Sequence, residues 1–265
     1  MNTEATLLVD IDDGVATLTL NRPRQKNAMN RAMFAALRDA IYTIRADRAV
    51  RAVILCGAGT DFCSGGDVHG MDAPDALTGR NRMDDVQGWI GMLIDLDRPV
   101  IAAVDGVAYG GGFSLALAAD FVVATPRARF CLPFLKVGLV PDCGALYTLP
   151  RVVGMACAKS LVFSAREVGA EEAQRIGAVL EIVSQEALTE RARQLAVSLV
   201  SASPVAYGLA KRALNQSYQS SLSGMLEVEA LAQGIAISTD YHREAVRRFK
   251  DKEPPMFAWP APCAD

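Results

Sequence analysis

The chain of 265 residues is 51% hydrophobic and 22% charged, a balance that is typical of a folded globular protein and excludes an intrinsically disordered one. Its net charge of −3 argues against a surface that attracts nucleic acid or an anionic membrane, and no apolar run is long enough to span a bilayer. Two histidines, His69 and His242, are too few for a histidine-rich metal site. The six cysteines form no C-x-x-C pair and no secretory signal is visible, so we expect reduced thiols in a cytoplasmic protein.

The N-terminal segment predicts a β-hairpin, because apolar residues alternate on both sides of Asp13-Gly14. Asn30 is then a candidate N-cap, since the apolar residues after it follow helical spacing: Met33, Phe34, Leu37, Ile41 and Ile44. The apolar run Ala52–Cys56 predicts a buried strand, and a glycine-rich loop follows it from Gly57 to Gly70.

The middle of the chain predicts a polar, mobile loop over Met71–Asp85 and a helix over Val86–Leu96. Pro99–Val104 predicts a second buried strand that leads to a run of three glycines, Gly110 to Gly112. Small apolar residues then predict a fully buried helix over Phe113–Ala119, and a third strand is predicted over Phe121–Ala124.

Beyond that strand the chain predicts an irregular stretch over Phe130–Pro141, a helix start near Asp142 and a strand over Val179–Val183. Buried strands that alternate with helices indicate the α/β class. Ser203-Pro204 interrupts the helices near the C-terminus. We therefore predict a core domain over residues 1–200 and a C-terminal helical region over residues 201–265.

Two glycine clusters are the strongest chemical signals, one after each of two neighbouring predicted strands. The first is Ser64-Gly65-Gly66-Asp67 and the second is Gly110-Gly111-Gly112. Glycine lets a backbone N–H approach a ligand closely, and two such amides aimed at one point form an oxyanion hole. Either loop alone is more simply a packing turn in which a side chain would clash. Dinucleotide-binding, P-loop and nucleophilic-serine motifs are absent from the sequence.

Both loops and the residues around them resemble the crotonase family, also called the enoyl-CoA hydratase/isomerase family. The similar stretches run in order along nearly the whole chain: Leu20–Asn30, Phe62–Asp67, Arg98–Gly112, Gly138–Asp142, Leu149–Arg151 and Ala165–Gly177. The resemblance implies a core of repeated ββα units with a C-terminal helical region that forms trimers, which commonly pair into hexamers. It also implies a coenzyme A thioester as substrate and no metal or redox cofactor.

The resemblance implies particular site residues as well. The oxyanion-hole amides fall on Gly66 and Gly111, and the adenine and pantetheine contacts fall near a second group: Ala28, Ser64, Asp67 and Val68. Phe134 is expected to line the acyl pocket. Phe249 and Lys250 could contact the coenzyme from a neighbouring subunit, or Lys250 could be an ordinary solvated charge.

The chain departs from the hydratase branch of the family at two positions. That branch has one glutamate two residues after the third glycine and another after the proline of the following loop, where this chain has Ser114 and Phe134. Hydration needs a base for water and a proton donor for the α-carbon, work that two carboxylates usually share. Ordinary hydratase activity is therefore not expected.

Asp142 is the carboxylate that remains in this region, in a stretch similar to isomerase branches and most similar to the branch that acts on ring-epoxidised phenylacetyl-CoA. An isomerase needs only one base, so Asp142 is the candidate catalytic residue of an enoyl-CoA isomerase. Its position is equally that of a helix N-cap. Aryl-CoA dehalogenases also have an aspartate here, but their active-site histidine has no counterpart in Trp89–Met92.

Two other interpretations stay open. One is a hydratase or another lyase of the crotonase family, and the other is a degenerate protein that binds acyl-CoA without converting it. Asp67 is expected to fix its loop and not to catalyse, and Ser114 is expected to bond back to a helix carbonyl.

Overall fold

A computed structural model of the chain describes residues 5–68 and 75–262. The nine strands found there are, in chain order, β1 (Leu7–Asp12), β2 (Val15–Leu20), β3 (Ala52–Gly57), β4 (Val100–Val104), β5 (Val107–Tyr109), β6 (Phe121–Ala124), β7 (Arg129–Cys131), β8 (Glu167–Gly169) and β9 (Glu181–Ile182). The α-helices in the same residues are α1 (Arg31–Ala46), α2 (Ala76–Ile94), α3 (Gly111–Leu117), α4 (Ala145–Val153), α5 (Met155–Ser164), α6 (Ala170–Arg175), α7 (Leu188–Val200), α8 (Pro204–Gln216), α9 (Leu222–Ile237) and α10 (Asp240–Lys250). None of these helices is long and apolar enough to cross a membrane.

The main sheet has six strands in the order β1-β2-β3-β4-β6-β9. β1 and β2 are antiparallel, as the predicted hairpin requires, and every later pairing in this sheet is parallel. A second sheet has the order β5-β7-β8. Because β2, β3, β4 and β6 are parallel, their carboxyl ends lie at one edge, and the loops that follow β3 and β4 meet there.

Both faces of the main sheet are buried, and the sequence of β3 shows why. Val53 and Leu55 point into a core formed with α1, α2 and α3, whereas Ala52 and Ile54 point into a core formed with α7. Successive side chains of a strand alternate between faces, so an uninterrupted apolar run is what a strand covered on both sides requires. The α/β prediction is confirmed.

Helix α1 begins where its sequence predicted. The Asn30 side chain accepts a hydrogen bond from the Met33 N–H at 2.9 Å, and the four fully buried residues of the helix follow one stripe: Met33, Leu37, Ile41 and Ile44. Helix α3 is buried at all seven residues, which is why its sequence is small and apolar throughout.

The predicted loop over Met71–Asp85 is wrong for most of its length. Helix α2 begins at Ala76, and the Asp75 side chain caps it by accepting from the Thr78 N–H at 2.8 Å. Residues 71–74 lie outside the described part of the chain. The first turns of α2 carry polar residues because they face solvent, where the side chains of Arg80 and Asp84 form an ion pair one turn apart.

The predicted boundary between residues 200 and 201 falls between α7 and α8, and the division into two regions stays a prediction. Contacts tie the C-terminal helices to the core. The ammonium of Lys211 in α8 lies 2.7 Å from the carboxylate of Asp120, which precedes β6. Trp259 packs edge-on against Phe121 with ring centroids 5.2 Å apart.

Candidate active site

The loop after β3 is fixed by the segment that precedes α1. Buried Asn27 donates from its side chain to the carbonyls of Ala58 and Asp61 at 2.9 and 2.7 Å. The Met29 N–H donates to the Gly65 carbonyl at 2.7 Å, and the Asp67 N–H donates to the Met29 carbonyl at 3.0 Å. Gly66 lies between these two bonds, and no described residue accepts a hydrogen bond from its amide. The loop therefore holds the Gly66 N–H in a rigid frame, without an acceptor among the described residues.

A second unpaired amide comes from the start of α3. The Gly110 N–H donates to the Cys131 carbonyl at 2.9 Å, whereas Gly111 is the first residue of the helix and has no acceptor one turn earlier. The two loops are in backbone contact. A Cβ on Gly65, whose φ is +102°, would lie 2.8 Å from the Tyr109 carbonyl oxygen and 3.4 Å from the Gly111 nitrogen. Glycine is therefore required for this approach.

Asp142 lies directly beside Gly111. The three atoms nearest to the point where a Cβ on Gly111 would lie are Met29 Cε at 2.9 Å, Cys143 Sγ at 3.4 Å and Asp142 Oδ1 at 3.7 Å. That carboxylate oxygen is buried and has no hydrogen-bond partner among the described residues. An unsatisfied, buried carboxylate oxygen next to the amide of Gly111 is costly to the fold and available to a ligand.

Burial raises the pKa of the Asp142 carboxyl above its ordinary value, and the adjacent Cys143 thiol opposes part of this increase. A higher pKa makes a carboxylate a stronger base. The capping interpretation of Asp142 is wrong, because α4 begins at Ala145, its N-cap is Gly144, and no side chain caps the helix. The acidic side chain thus has no helix-capping function.

The two positions that carry glutamates in the hydratase branch supply no carboxylate here. The hydroxyl of buried Ser114 donates to the Gly110 carbonyl at 3.1 Å, as its place in an apolar helix predicted. The buried ring of Phe134 approaches to 3.7 Å of the point where a Cβ on Gly110 would lie. Phe134 therefore gives the turn before Gly111 an apolar wall, whereas Val140, farther along the chain, is 70% exposed in the single chain.

The residues expected to contact the coenzyme lie on the same side as Gly66. Arg22 forms an ion pair with Asp67 at 2.8 Å and donates to the Ala28 carbonyl at 2.5 Å, so Asp67 fixes its loop as predicted. The Ser64 hydroxyl donates to the Gln25 carbonyl at 3.2 Å. Val68 is largely exposed. The fold brings these residues together, and their part in coenzyme binding stays a prediction.

Phe249 and Lys250 end helix α10, and no contact of the described chain joins them to Gly66, Gly111 or Asp142. Phe249 is 86% exposed. The turn after them is held by Arg247, which pairs with Glu244 at 2.8 Å, Asp251 at 2.9 Å and Glu253 at 2.8 Å. This turn presents an aromatic ring and a cation to solvent in the single chain.

No sequence motif assigned a role to two residues that contact the Gly111 position, which are Met29 and Cys143. Cys143 has a φ of +49°, unusual for a residue with a side chain, and this turn directs its buried thiol toward Asp142 and Gly111. Burial raises the pKa of the Cys143 thiol, and the nearby Asp142 carboxylate raises it further. The only signal available in the sequence was that Cys143 follows the candidate base. His69 lies outside the described residues.

Known proteins match the chain over nearly its whole length. The sequence profile described as enoyl-CoA hydratase/isomerase matches residues 10–259. The 1,2-epoxyphenylacetyl-CoA isomerase of Escherichia coli is 37% identical, with 95% of this chain and 97% of that protein covered. The short-chain-enoyl-CoA hydratase of Clostridium acetobutylicum is 36% identical, with 93% and 95% covered.

Solved structures agree with these sequence matches. The crystal structure of an enoyl-CoA hydratase/isomerase from Cupriavidus metallidurans superposes with a TM-score of 0.93 at 40% identity, covering 99% of this chain and 100% of that one. An enoyl-CoA hydratase from Bacillus anthracis superposes with a TM-score of 0.89 at 33% identity, covering 95% and 98%. The predicted crotonase-type fold is confirmed, and the chain belongs to the enoyl-CoA hydratase/isomerase family.

Proposed function

We propose that this enzyme isomerises an unsaturated acyl-CoA and that Asp142 alone moves the proton. The thioester oxygen lies between the amides of Gly66 and Gly111. The Asp142 carboxylate removes a proton from the α-carbon of a 3-enoyl thioester, and the electron pair delocalises onto that oxygen as a dienolate. The protonated Asp142 then returns the proton to the γ-carbon, which leaves a conjugated 2-enoyl thioester.

One observation carries this proposal. The Oδ1 atom of Asp142 is buried, has no partner among the described residues and lies next to the unpaired amide of Gly111. A base must reach the proton that it removes, and a donor must reach the oxygen on which negative charge develops. One carboxylate and two amides at one place meet both requirements.

Two further features support isomerisation over hydration. Ser114 uses its hydroxyl within α3, and Phe134 presents a ring where the hydratase branch has a carboxylate. Water addition needs a group that activates water in addition to one that protonates carbon. A single carboxylate with an apolar neighbour suits proton transfer between two carbons of the same substrate.

The same reasoning extends to the substrate. The relative from Escherichia coli is named for 1,2-epoxyphenylacetyl-CoA, and the ring of Phe134 suits an apolar chain or ring near the thioester. The coenzyme moiety would lie along Ala28, Ser64, Asp67 and Val68, with coenzyme A as part of the substrate and no resident cofactor.

Subunit assembly is part of the proposal. Helix α9 has no buried residue, and three leucines on it are exposed: Leu222, Leu226 and Leu231. An exposed apolar patch of this kind marks a protein–protein contact. We expect a homotrimer or a hexamer made of two trimers, in which Phe249 and Lys250 of one subunit approach the coenzyme of another.

Hydration is the second candidate, because the relative from Clostridium acetobutylicum is named as a hydratase. A turnover panel separates the candidates. Isomerisation predicts rapid conversion of 3-hexenoyl-CoA or of epoxidised phenylacetyl-CoA and slow loss of crotonyl-CoA. Crotonyl-CoA consumed as quickly as the best isomerisation substrate would refute the proposal, and so would binding of all three without any turnover.

A further inference from the structure

A cavity far from the candidate active site is lined by five arginines: Arg45, Arg48, Arg51, Arg98 and Arg212. We call it the arginine cavity. Its volume is about 410 Å³, within the range of small-molecule sites. It lies where Arg51 and Pro99 lead into β3 and β4, at the amino ends of the parallel strands. Gly66 and Gly111 follow the carboxyl ends of those strands, so the two sites are at opposite edges of the sheet.

Two of the five arginines have a structural explanation. Nearly buried Arg98 donates to the carbonyls of Ile44, Asp47 and Val50 at 2.6 to 2.8 Å, and these carbonyls lie at and just beyond the end of α1. Arg51 donates to the carbonyls of Val200 and Ala202 at 3.1 Å, at the end of α7. Cations at helix C-termini satisfy unpaired carbonyls and complement the helix dipole.

The other three arginines have no such explanation. Arg45, Arg48 and Arg212 make no ion pair and no side-chain hydrogen bond with any residue that the structure describes. Guanidinium groups that share a cavity repel one another, and the chain as a whole carries a net charge of −3. A cluster of unpaired cations in an acidic protein therefore concentrates positive potential at one concave place.

Nearby carboxylates form no ion pair with Arg45, Arg48 or Arg212 in the part of the chain that the structure describes. Asp97, the one acidic residue among the described residues that line the cavity, pairs with Arg98 at 3.1 Å. The Asp47 carboxylate accepts from the Ala49 N–H at 2.8 Å, and the Asp120 carboxylate pairs with Lys211. Arg45, Arg48 and Arg212 are exposed, so an anionic ligand can reach their charges.

The remaining wall of the cavity is apolar, and the helix that forms most of it packs closely on the core. Pro204, Val205, Leu209 and Ile235 contribute hydrocarbon surface. Helix α8, which carries three of these residues, is packed closely on the core: a Cβ on Gly208 would lie 3.0 Å from both the Cβ and the carbonyl oxygen of Asp97. A ligand that fits this cavity has an anionic group for the guanidinium groups and an organic part for the wall.

We propose that the arginine cavity binds a small organic phosphate. Guanidinium groups match phosphate oxygens by paired, charge-assisted hydrogen bonds, and Arg45, Arg48 and Arg212 have all their donors available for them. The apolar wall favours an organic phosphate over inorganic phosphate. This site is separate from the acyl-CoA site, so the proposal does not depend on the isomerase proposal.

Calorimetric titration of the full-length protein with phenyl phosphate, which is not a fragment of coenzyme A, tests the proposal. The cavity variant Arg48→Gln/Arg212→Gln is compared with Lys159→Gln/Arg175→Gln, which removes two exposed cations of α5 and α6 and changes the net charge equally. We expect Kd to rise at least tenfold in the cavity variant and less than twofold in the control. Wild-type protein should bind phenyl phosphate more tightly than inorganic phosphate and more weakly as salt increases.

Several outcomes would overturn the proposal. One is that phenyl phosphate does not bind or binds the cavity variant with unchanged Kd. Another is competition by free coenzyme A that is equally strong in the wild type and in the cavity variant, which would place the ligand in the acyl-CoA site. A third is that the cavity variant has a lower molar mass than the wild type in light scattering but the same affinity for phenyl phosphate. The arginines would then serve subunit contacts.

Discussion

Replacing Asp142 with asparagine keeps the shape of the side chain and removes its ability to accept a proton. If Asp142 is the only proton carrier, the rate of 3-hexenoyl-CoA isomerisation should fall by roughly 10²–10⁴, the usual scale of acid–base catalysis. That loss corresponds to about 3–5 kcal/mol of activation free energy at about 1.4 kcal/mol per factor of ten. Acyl-CoA affinity should change little, because the proposed contacts of the coenzyme and of the thioester oxygen involve other residues.

The same substitution should not destabilise the protein. Burial raises the pKa of the Asp142 carboxyl, so the folded state binds a proton more readily than the unfolded state does. Stability contributed by the protonated form is present at low pH and is lost as the pH rises through the raised pKa. At neutral pH the charged aspartate is therefore unfavourable in the fold. The Tm of Asp142→Asn should equal or exceed that of the wild type at pH 7, and this advantage should diminish in acid.

Turnover is measured by the formation of the conjugated thioester, and stability by the melting temperature. Asp39→Asn on the exposed surface of α1 serves as a control for the loss of a carboxylate. Retained turnover in Asp142→Asn would refute the proposed role of the aspartate. Lost turnover accompanied by lost acyl-CoA binding would also contradict it, because a proton carrier is not needed for binding.

Four other predictions concern the candidate site and the exposed surface of α9. Gly111→Pro removes one amide donor and should reduce kcat by roughly 10²–10³ relative to Gly111→Ala. The alanine variant adds the same Cβ next to the movable end of Met29 but keeps the N–H. Equal rates in the two folded variants would contradict the oxyanion-hole assignment. The isomerisation rate should increase as the pH rises through the raised pKa of Asp142, whereas the residual rate of Asp142→Asn should not show this step in a pH–rate profile. Hydration of crotonyl-CoA, measured by loss of its conjugated absorbance, should be far slower than isomerisation, and comparable rates would show that the substitutions at Ser114 and Phe134 do not have the predicted effect. Leu226→Asp/Leu231→Asp on α9 should lower the molar mass in light scattering, and an unchanged mass would place the subunit contact elsewhere.

The backbone of the fold could be predicted from local patterns. Asn30 and the apolar stripe of α1 are a direct consequence of capping and helical spacing, and the uninterrupted apolar run of β3 reflects a strand covered on both faces. The start of α2 could not be read in this way. Its first turns are polar because they face solvent, and a polar stretch with weak periodicity is indistinguishable from a loop.

Sequence motifs predict the components of the candidate site but not how these components come together. The two glycine loops are visible in the sequence, but their contact depends on the parallel order of β3 and β4 and on the bonds from Met29 to the Gly65–Asp67 segment. Position alone left Asp142 as either a cap or a base. The distinction came from the backbone, because Cys143 and Gly144 with positive φ delay the helix until Ala145.

The most direct test of the central claim is the fate of the α-deuterium in 3-hexenoyl-CoA labelled at the α-carbon, followed by NMR in H₂O. An enolate held by Gly66 and Gly111 and reprotonated by Asp142 predicts 2-hexenoyl-CoA as the main product. It also predicts that deuterium moves from the α-carbon to the γ-carbon, at a rate that falls by roughly 10²–10⁴ in Asp142→Asn. Transfer that is equally rapid in Asp142→Asn, a γ-carbon that takes its hydrogen only from solvent, or a main product formed by addition of water would contradict the claim.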